Sequence, residues 1–148
     1  MGNPPAEALV VKLNAKAHLY DLRRRQYLGH TDSLRAGILP AEAKLLALLP
    51  ERIDGLNVSL SKEGGKAGDV LELSGAVAPA SLQDCRLVVR VQVLRNGAVQ
   101  DAYTKNLAFE GRFTHPIPLA LNQQKGPYRV QVTEVISGFT QEVPFDVQ

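Results

Sequence analysis

From residue 53 onward the chain keeps a hydrophobic period close to two, and this alternation limits its fold more than any other feature. Leu56, Val58 and Leu60 alternate with Asn57, Ser59 and Ser61. Leu71 and Leu73 alternate with Glu72 and Ser74, and Leu87, Val89, Val91 and Val93 share one side against Arg90 and Gln92. Tyr128, Val130 and Val132, then Val143, Phe145 and Val147, continue the pattern. Side chains at alternate positions point to opposite faces of a strand, so these segments predict strands with one dry and one wet face. Asn96-Gly97 between two such segments is a hairpin signal, because a two-residue primed turn needs left-handed backbone at both positions. Gly64-Gly65, Gly68-Asp69, Gly111, Gly126-Pro127 and Ser137-Gly138 supply further breaks. Pro144 cannot donate to a ladder, so the last strand is expected to be an edge or to carry a local break. Seven strands between residues 53 and 148, with no helix-period segment among them, predict an all-β, immunoglobulin-like antiparallel sandwich.

The first part of the chain is less regular. Leu9, Val11 and Leu13 predict one strand, and Ser33 to Leu39 another. Between them, His18 to Leu22 and Gln26 to His30 predict a hairpin around Arg23, Arg24 and Arg25. PAEAKLLALLP, residues 40–50, reads as a short helix by propensity or as a strand from Lys44 to Leu49 closed by Pro50. The expected organisation is a linker or added terminal edge at 1–8, an N-terminal strand and hairpin region at 9–52, and the sandwich at 53–148.

Charge follows the same division. There are 8 Lys+Arg and 5 Asp+Glu up to Arg52, then 9 and 10 beyond it, for a formal net charge of +2. That balance argues against a nucleic-acid partner. No apolar run is long enough for a membrane span, and the opening MGNPPAEALVV is unlike a signal peptide. Cys85 is the single cysteine and is expected to be a buried thiol.

The motifs of chemistry are sparse. The sequence contains no Gly-rich phosphate loop, nucleophile elbow or H-E-x-x-H metal pattern. His18 and His30 can meet across a hairpin, but no metal site and no cofactor are expected. Asp21, Asp32, Asp69, Glu72, Asp101 and Glu110 form no recognisable acid–base pair. Glu134 interrupts an apolar row, as a strand end or bulge does. Sugar binding by stacking on aromatic rings leaves Tyr20, Tyr27 and Tyr103 as candidates, since Tyr128, Phe113, Phe139 and Phe145 occupy expected core positions. The candidate contact residues are therefore Tyr20, Tyr27, Arg23, Arg24 and Arg25, for a ligand or for a neighbouring domain.

HLYDLRRRQYLGHTD and AKLLALLPERIDGL resemble segments that follow the catalytic region in some large bacterial β-galactosidase-like glycoside hydrolases. GDVLELSG, EGRFTHPIPLALN and GPYRVQVTEVISG are similar to the sandwich that trails those segments, and to macroglobulin-type and other immunoglobulin-like modules. Arg24-Arg25 stands where those segments carry a Thr-Gly turn. The resemblance favours the strand reading of residues 44–49. It implies a non-catalytic C-terminal module of a larger extracellular or periplasmic enzyme, with the preceding catalytic domain of the same polypeptide as its partner. The catalytic residues would then lie upstream of this chain. A carbohydrate-binding module and an adhesion or protein–protein interaction domain are the alternatives.

Overall fold

The structure is a computed structural model that describes residues 7–148, except for the side chain of Glu7. The chain divides into two compact units, Met1–Arg52 and Ile53–Gln148. Almost every described element is a strand, as the alternation requires. Most of the expected linker, residues 1–8, lies outside the described residues. Its last two residues already belong to the first strand.

In the first unit, β1 (Glu7–Asp21) and β2 (Gln26–Ile38) form one long antiparallel ribbon, and β3 (Leu46–Leu49) pairs with the end of β1 to give the order β2-β1-β3. Separate strands at Leu9–Leu13 and Ser33–Leu39, apart from the hairpin, are therefore not what the chain forms. They are the far ends of the hairpin's own arms, and register shifts between Lys12 and Ala17 and between Leu19 and Tyr20 absorb the irregular sequence. Residues 46–49 are a strand, not a helix. Nine residues offer too few intrahelical hydrogen bonds to offset nucleation, whereas pairing with His18–Asp21 satisfies the backbone at once.

β2 is an edge, and edges invite unwanted pairing. Beside the register shift, the hydroxyl of Thr31 bonds the backbone of its own strand. It donates to the Ser33 carbonyl at 3.0 Å and accepts from the Ser33 amide at 3.1 Å.

The second unit contains β4 (Gly55–Leu60), β5 (Gly64–Gly65), β6 (Val70–Ala78), β7 (Arg86–Arg95), β8 (Ala98–Val99), β9 (Lys105–Glu110), β10 (Arg112–Pro118), β11 (Gly126–Glu134) and β12 (Thr140–Val147). One layer is β4-β6-β10 and the other β9-β7-β11-β12. They join only where β9 turns through Gly111 into β10, at the pair Glu110 and Arg112. The strand after β7 stays in the sheet of β7, unlike the constant-type immunoglobulin arrangement in which it joins the opposite sheet. Gly64-Gly65, expected as a break between strands, is itself paired in parallel with Asp146 and Val147. A Cβ at Gly64 would collide with the carbonyl of Asp146, so only glycine allows this approach. Asn96 and Gly97 have φ of 52° and 77°, the left-handed pair that a primed hairpin turn requires.

The sandwich core comes directly from the alternation. Val89, Val91, Val130, Val132, Leu71 and Leu73 are fully buried, and Ile117, Tyr128 and Phe145 are nearly so. Each large apolar side chain buried this way contributes about 1.5–3 kcal/mol relative to exposure. Tyr128 stacks on Phe145, and Phe109 meets Phe113 edge to face. Phe139, expected in the core, is 41% exposed, because it lies in the β11–β12 turn where no opposing layer covers it. Cys85 is only half-buried, since it precedes β7 instead of lying within it.

Glu134 ends β11 on the dry side and is completely buried. Its carboxylate accepts from the backbone amides of Ile136 and Ser137, at 2.9 and 2.6 Å, and from the Ser137 hydroxyl. The charge is thereby committed to shaping the turn into β12, which accounts for an acid in an apolar row.

Two measurable consequences follow. A Cβ added at Gly75 would run into the ring of Phe113, its cross-strand partner, and come within 2.7 Å of the Asn57 carbonyl. Gly75→Ala is therefore expected to lower stability by about 1–3 kcal/mol in urea unfolding, and Phe113→Leu in the same background to recover part of that loss. His115, half-buried on β10, is held below the ordinary imidazole value by burial and then by nearby Lys105. The folded state thus binds a proton less readily than the unfolded one. Stability falls as pH drops below 6.5, the unfolded value. A pH series of unfolding midpoints should show this decline, and His115→Gln should flatten it.

Candidate functional site

The hairpin around the three arginines is built by one carboxylate. Asp21 ends β1, is 9% exposed, and accepts from the backbone amides of both Arg23 and Arg24 at 3.0 Å through Oδ1. The amide of Leu22 bonds the Leu45 carbonyl at 2.9 Å, tying the turn to the segment before β3. Arg25 then takes a left-handed backbone, φ 51°, to return the chain into β2. A non-glycine residue carries a modest strain there, so the turn relies on the Asp21 hydrogen bonds in place of the Thr-Gly chemistry it lacks. Arg23, Arg24 and Arg25 are exposed.

Tyr20 and Tyr27 face one another in register, with ring centroids 5.1 Å apart. They are not equivalent. Tyr20 is 2% exposed and is no surface platform. It sits in the middle strand with neighbours on both sides, Tyr27 on β2 and Ala47 on β3, while Tyr27 lies on the edge strand and is half-buried. Tyr103 is also half-buried. Its hydroxyl donates to the Gln123 side chain at 2.7 Å and accepts from the Ala120 amide at 3.2 Å, so it braces a loop.

Tyr27 belongs to a cluster that the arginine-rich tip does not enter. Its hydroxyl shares a 2.8 Å hydrogen bond with Nδ1 of His18. His18 lies directly opposite His30 in the ladder, and the two imidazoles stack with centroids 4.4 Å apart and planes 10° from parallel. The guanidinium of Arg52 sits 4.4 Å above the ring of Tyr27, a favourable approach of a cation to the electron-rich face. His30 and Arg52 are exposed, and His18 is half-buried. The result is an accessible patch of two imidazoles, a phenol and a guanidinium. It can stack a flat or C–H-rich surface, donate hydrogen bonds, and offer imidazole nitrogen as a ligand.

The meeting of His18 and His30 was legible from the hairpin. Arg52 was not, because it lies beyond β3 and only the return of the chain places it over Tyr27. Among the described residues, no group of three or more His, Cys, Asp or Glu is arranged to hold a metal.

Two hollows lie away from this cluster. One, about 300 Å³, is lined by Leu28, Leu34 and Leu46 with Arg24, Arg35 and Lys44 around them. Lys44 is already paired with Glu42 at 2.9 Å. The carboxyl of Glu42 is held below its ordinary value by the Leu39 amide first and by Lys44 second. The other hollow, about 710 Å³, is an open groove on the sandwich beside Pro127, Pro144 and Arg129. There Glu142 takes hydrogen bonds from Arg129 at 2.9 Å and Gln131 at 3.0 Å.

Asp21→Ala would leave the amides of Arg23 and Arg24 without their acceptor. It is expected to cost about 1–2 kcal/mol in the first unit, read as faster amide exchange of residues 19–28 with little change in β7 and β11.

No protein-family model and no curated protein matches the chain. Solved structures do resemble it. A β-glycosidase from Bacteroides vulgatus superposes with a TM-score of 0.51 at 13% identity, over 96% of this chain and 22% of its own. A β-glucosidase from Listeria innocua gives 0.41 at 15% identity, over 62% of this chain and 16% of its own. A CARDB domain from Pyrococcus furiosus gives 0.42 at 12% identity, over 63% of this chain and 90% of its own. At these identities the likeness is one of fold, and this chain spans about a fifth of the B. vulgatus β-glycosidase's length.

Proposed function

We propose that the chain is a non-catalytic accessory module of a larger bacterial β-galactosidase-like glycoside hydrolase. In this reading it props or orients the neighbouring catalytic domain of the same polypeptide outside the cytoplasm. The observation that carries the reading is the extent of the B. vulgatus likeness. It runs through 96% of the chain, ribbon and sandwich alike, within a β-glycosidase several times longer. The segments HLYDLRRRQYLGHTD and AKLLALLPERIDGL, which resemble those that follow the catalytic region in some β-galactosidase-like enzymes, imply the same context. The burial pattern is compatible with a mechanical role. The apolar rows close on one another inside the sandwich, and the buried acid Glu134 is spent on a turn.

The mechanism is one of restricted geometry. The small three-stranded sheet formed by the ribbon and β3 has a short third strand, and packing against a neighbouring domain would add to its stability. Rigid attachment at a domain boundary then limits how the attached domain can move.

An antiserum raised against the 148-residue chain, applied to extracts of the source organism, is expected to detect a polypeptide several times larger than 16.1 kDa. Deleting residues 7–148 from that polypeptide should lower the melting temperature of its catalytic domain. The isolated chain should release no aglycone from aryl β-glycosides. A band at 16.1 kDa alone, or turnover by the isolated chain that tracks with the protein through purification, overturns the proposal.

A further inference from the structure

We propose that His18 and His30 form a two-imidazole site for a divalent transition metal of the imidazole-preferring class, Zn2+ or Cu2+, clamping β1 to β2. The site is independent of the accessory-module reading.

Four observations carry it. First, the two histidines are direct partners in an antiparallel ladder, where opposite Cβ atoms lie about 4.5–5.5 Å apart. Second, the rings stack face to face, 4.4 Å between centroids and 10° between planes, so both imidazoles are held at one place on the ribbon. Two nitrogens on one tetrahedral ion, each about 2.0–2.1 Å from it, stand roughly 3.4 Å apart. The lone pairs of stacked rings lie in nearly parallel planes, so one ion is shared only when the exposed ring of His30 turns about its side-chain torsions to aim a nitrogen at it while His18 keeps its place, a motion that leaves the strands unmoved.

Third, His18 has an orienting partner. Its Nδ1 is 2.8 Å from the Tyr27 hydroxyl oxygen. In the metal-bound form Nδ1–H donates to that oxygen and leaves Nε2 as the ligand, the arrangement by which a hydrogen bond at one ring nitrogen fixes the tautomer at the other. Fourth, the site is reachable, because His30 is exposed and His18 half-buried, so water can complete the shell. Neutral imidazole suits Zn2+ and Cu2+ and discriminates against Mg2+ and Ca2+, which require oxygen ligands. Arg52, above Tyr27, is the neighbouring positive charge that works against a dication. It weakens the site, and its removal should strengthen it.

The test is titration of the full chain with Zn2+ in a non-coordinating buffer, read by calorimetry and by the ring resonances of the histidines. One equivalent should bind, with shifts at His18 and His30 and none at His115. His30→Gln, a change at an exposed position, should weaken binding roughly tenfold or more. Tyr27→Phe should weaken it less, and Arg52→Gln should tighten it. Mg2+ should give no shift. Absence of binding up to about 1 mM Zn2+ overturns the proposal. So does binding that His30→Gln leaves unchanged, or binding centred on His115. Circular dichroism of each variant separates loss of a ligand from loss of the fold.

Discussion

Two rows of valines facing the interior of one sheet, Val89-Val91-Val93 on β7 and Val130-Val132 on β11, are the constraint on which the sandwich depends. They are adjacent in the ladder, Val130 beside Val93 and Val132 beside Val91, and none is more than 1% exposed. Branched side chains on a pleated surface pack without voids, and their burial makes the register costly to shift: a slip by one residue would turn Gln92 and Gln131 inward. The opposite layer is cut to fit. Gly75 leaves room for the Phe113 ring, and Leu71, Leu73 and Ile117 complete the interior.

The two units solve the same backbone problem by different means. The sandwich closes its own hydrophobic faces. The ribbon is a three-stranded sheet with two edges, and its stability is more local. Asp21 holds the tip, Thr31 bonds the backbone of its own strand at Ser33, and the His18-Tyr27-His30 cluster binds the two arms across the ladder. This explains why the arginines, conspicuous in the sequence, do little in the fold. They crown a turn that Asp21 builds, and the interactions worth noting lie a few residues below them, where the tyrosines and histidines pair.

Several features are legible in the residues alone because they depend on local rules. The Asn96-Gly97 turn, the strand faces of β6, β7, β11 and β12, and the core positions of Tyr128, Phe113 and Phe145 all follow from period and turn chemistry. Those that the residues misrepresent depend on where a neighbour lies. Phe139 has the right residue type for a core but sits in a turn. Cys85 has apolar neighbours in sequence but lies outside the strand. Tyr20 and Tyr27 look alike on paper, yet one is in a middle strand and the other at an edge. Gly64-Gly65 reads as punctuation and serves as a strand.

By itself, then, the sequence determined the class of the fold, the faces of its strands and the hairpin that brings residues 18 and 30 together. These follow from side-chain alternation and backbone preferences over a few residues. Only the tertiary structure decided that the N-terminal arms run on as one ribbon, that Arg52 caps Tyr27, that Glu134 is satisfied by the turn after it, and that β5 pairs with the last strand. Apart from the Glu134 contacts, which reach only two and three residues along the chain, these join groups whose separation in sequence says nothing about their distance in space, and loop closure between them is set by the packing of each unit.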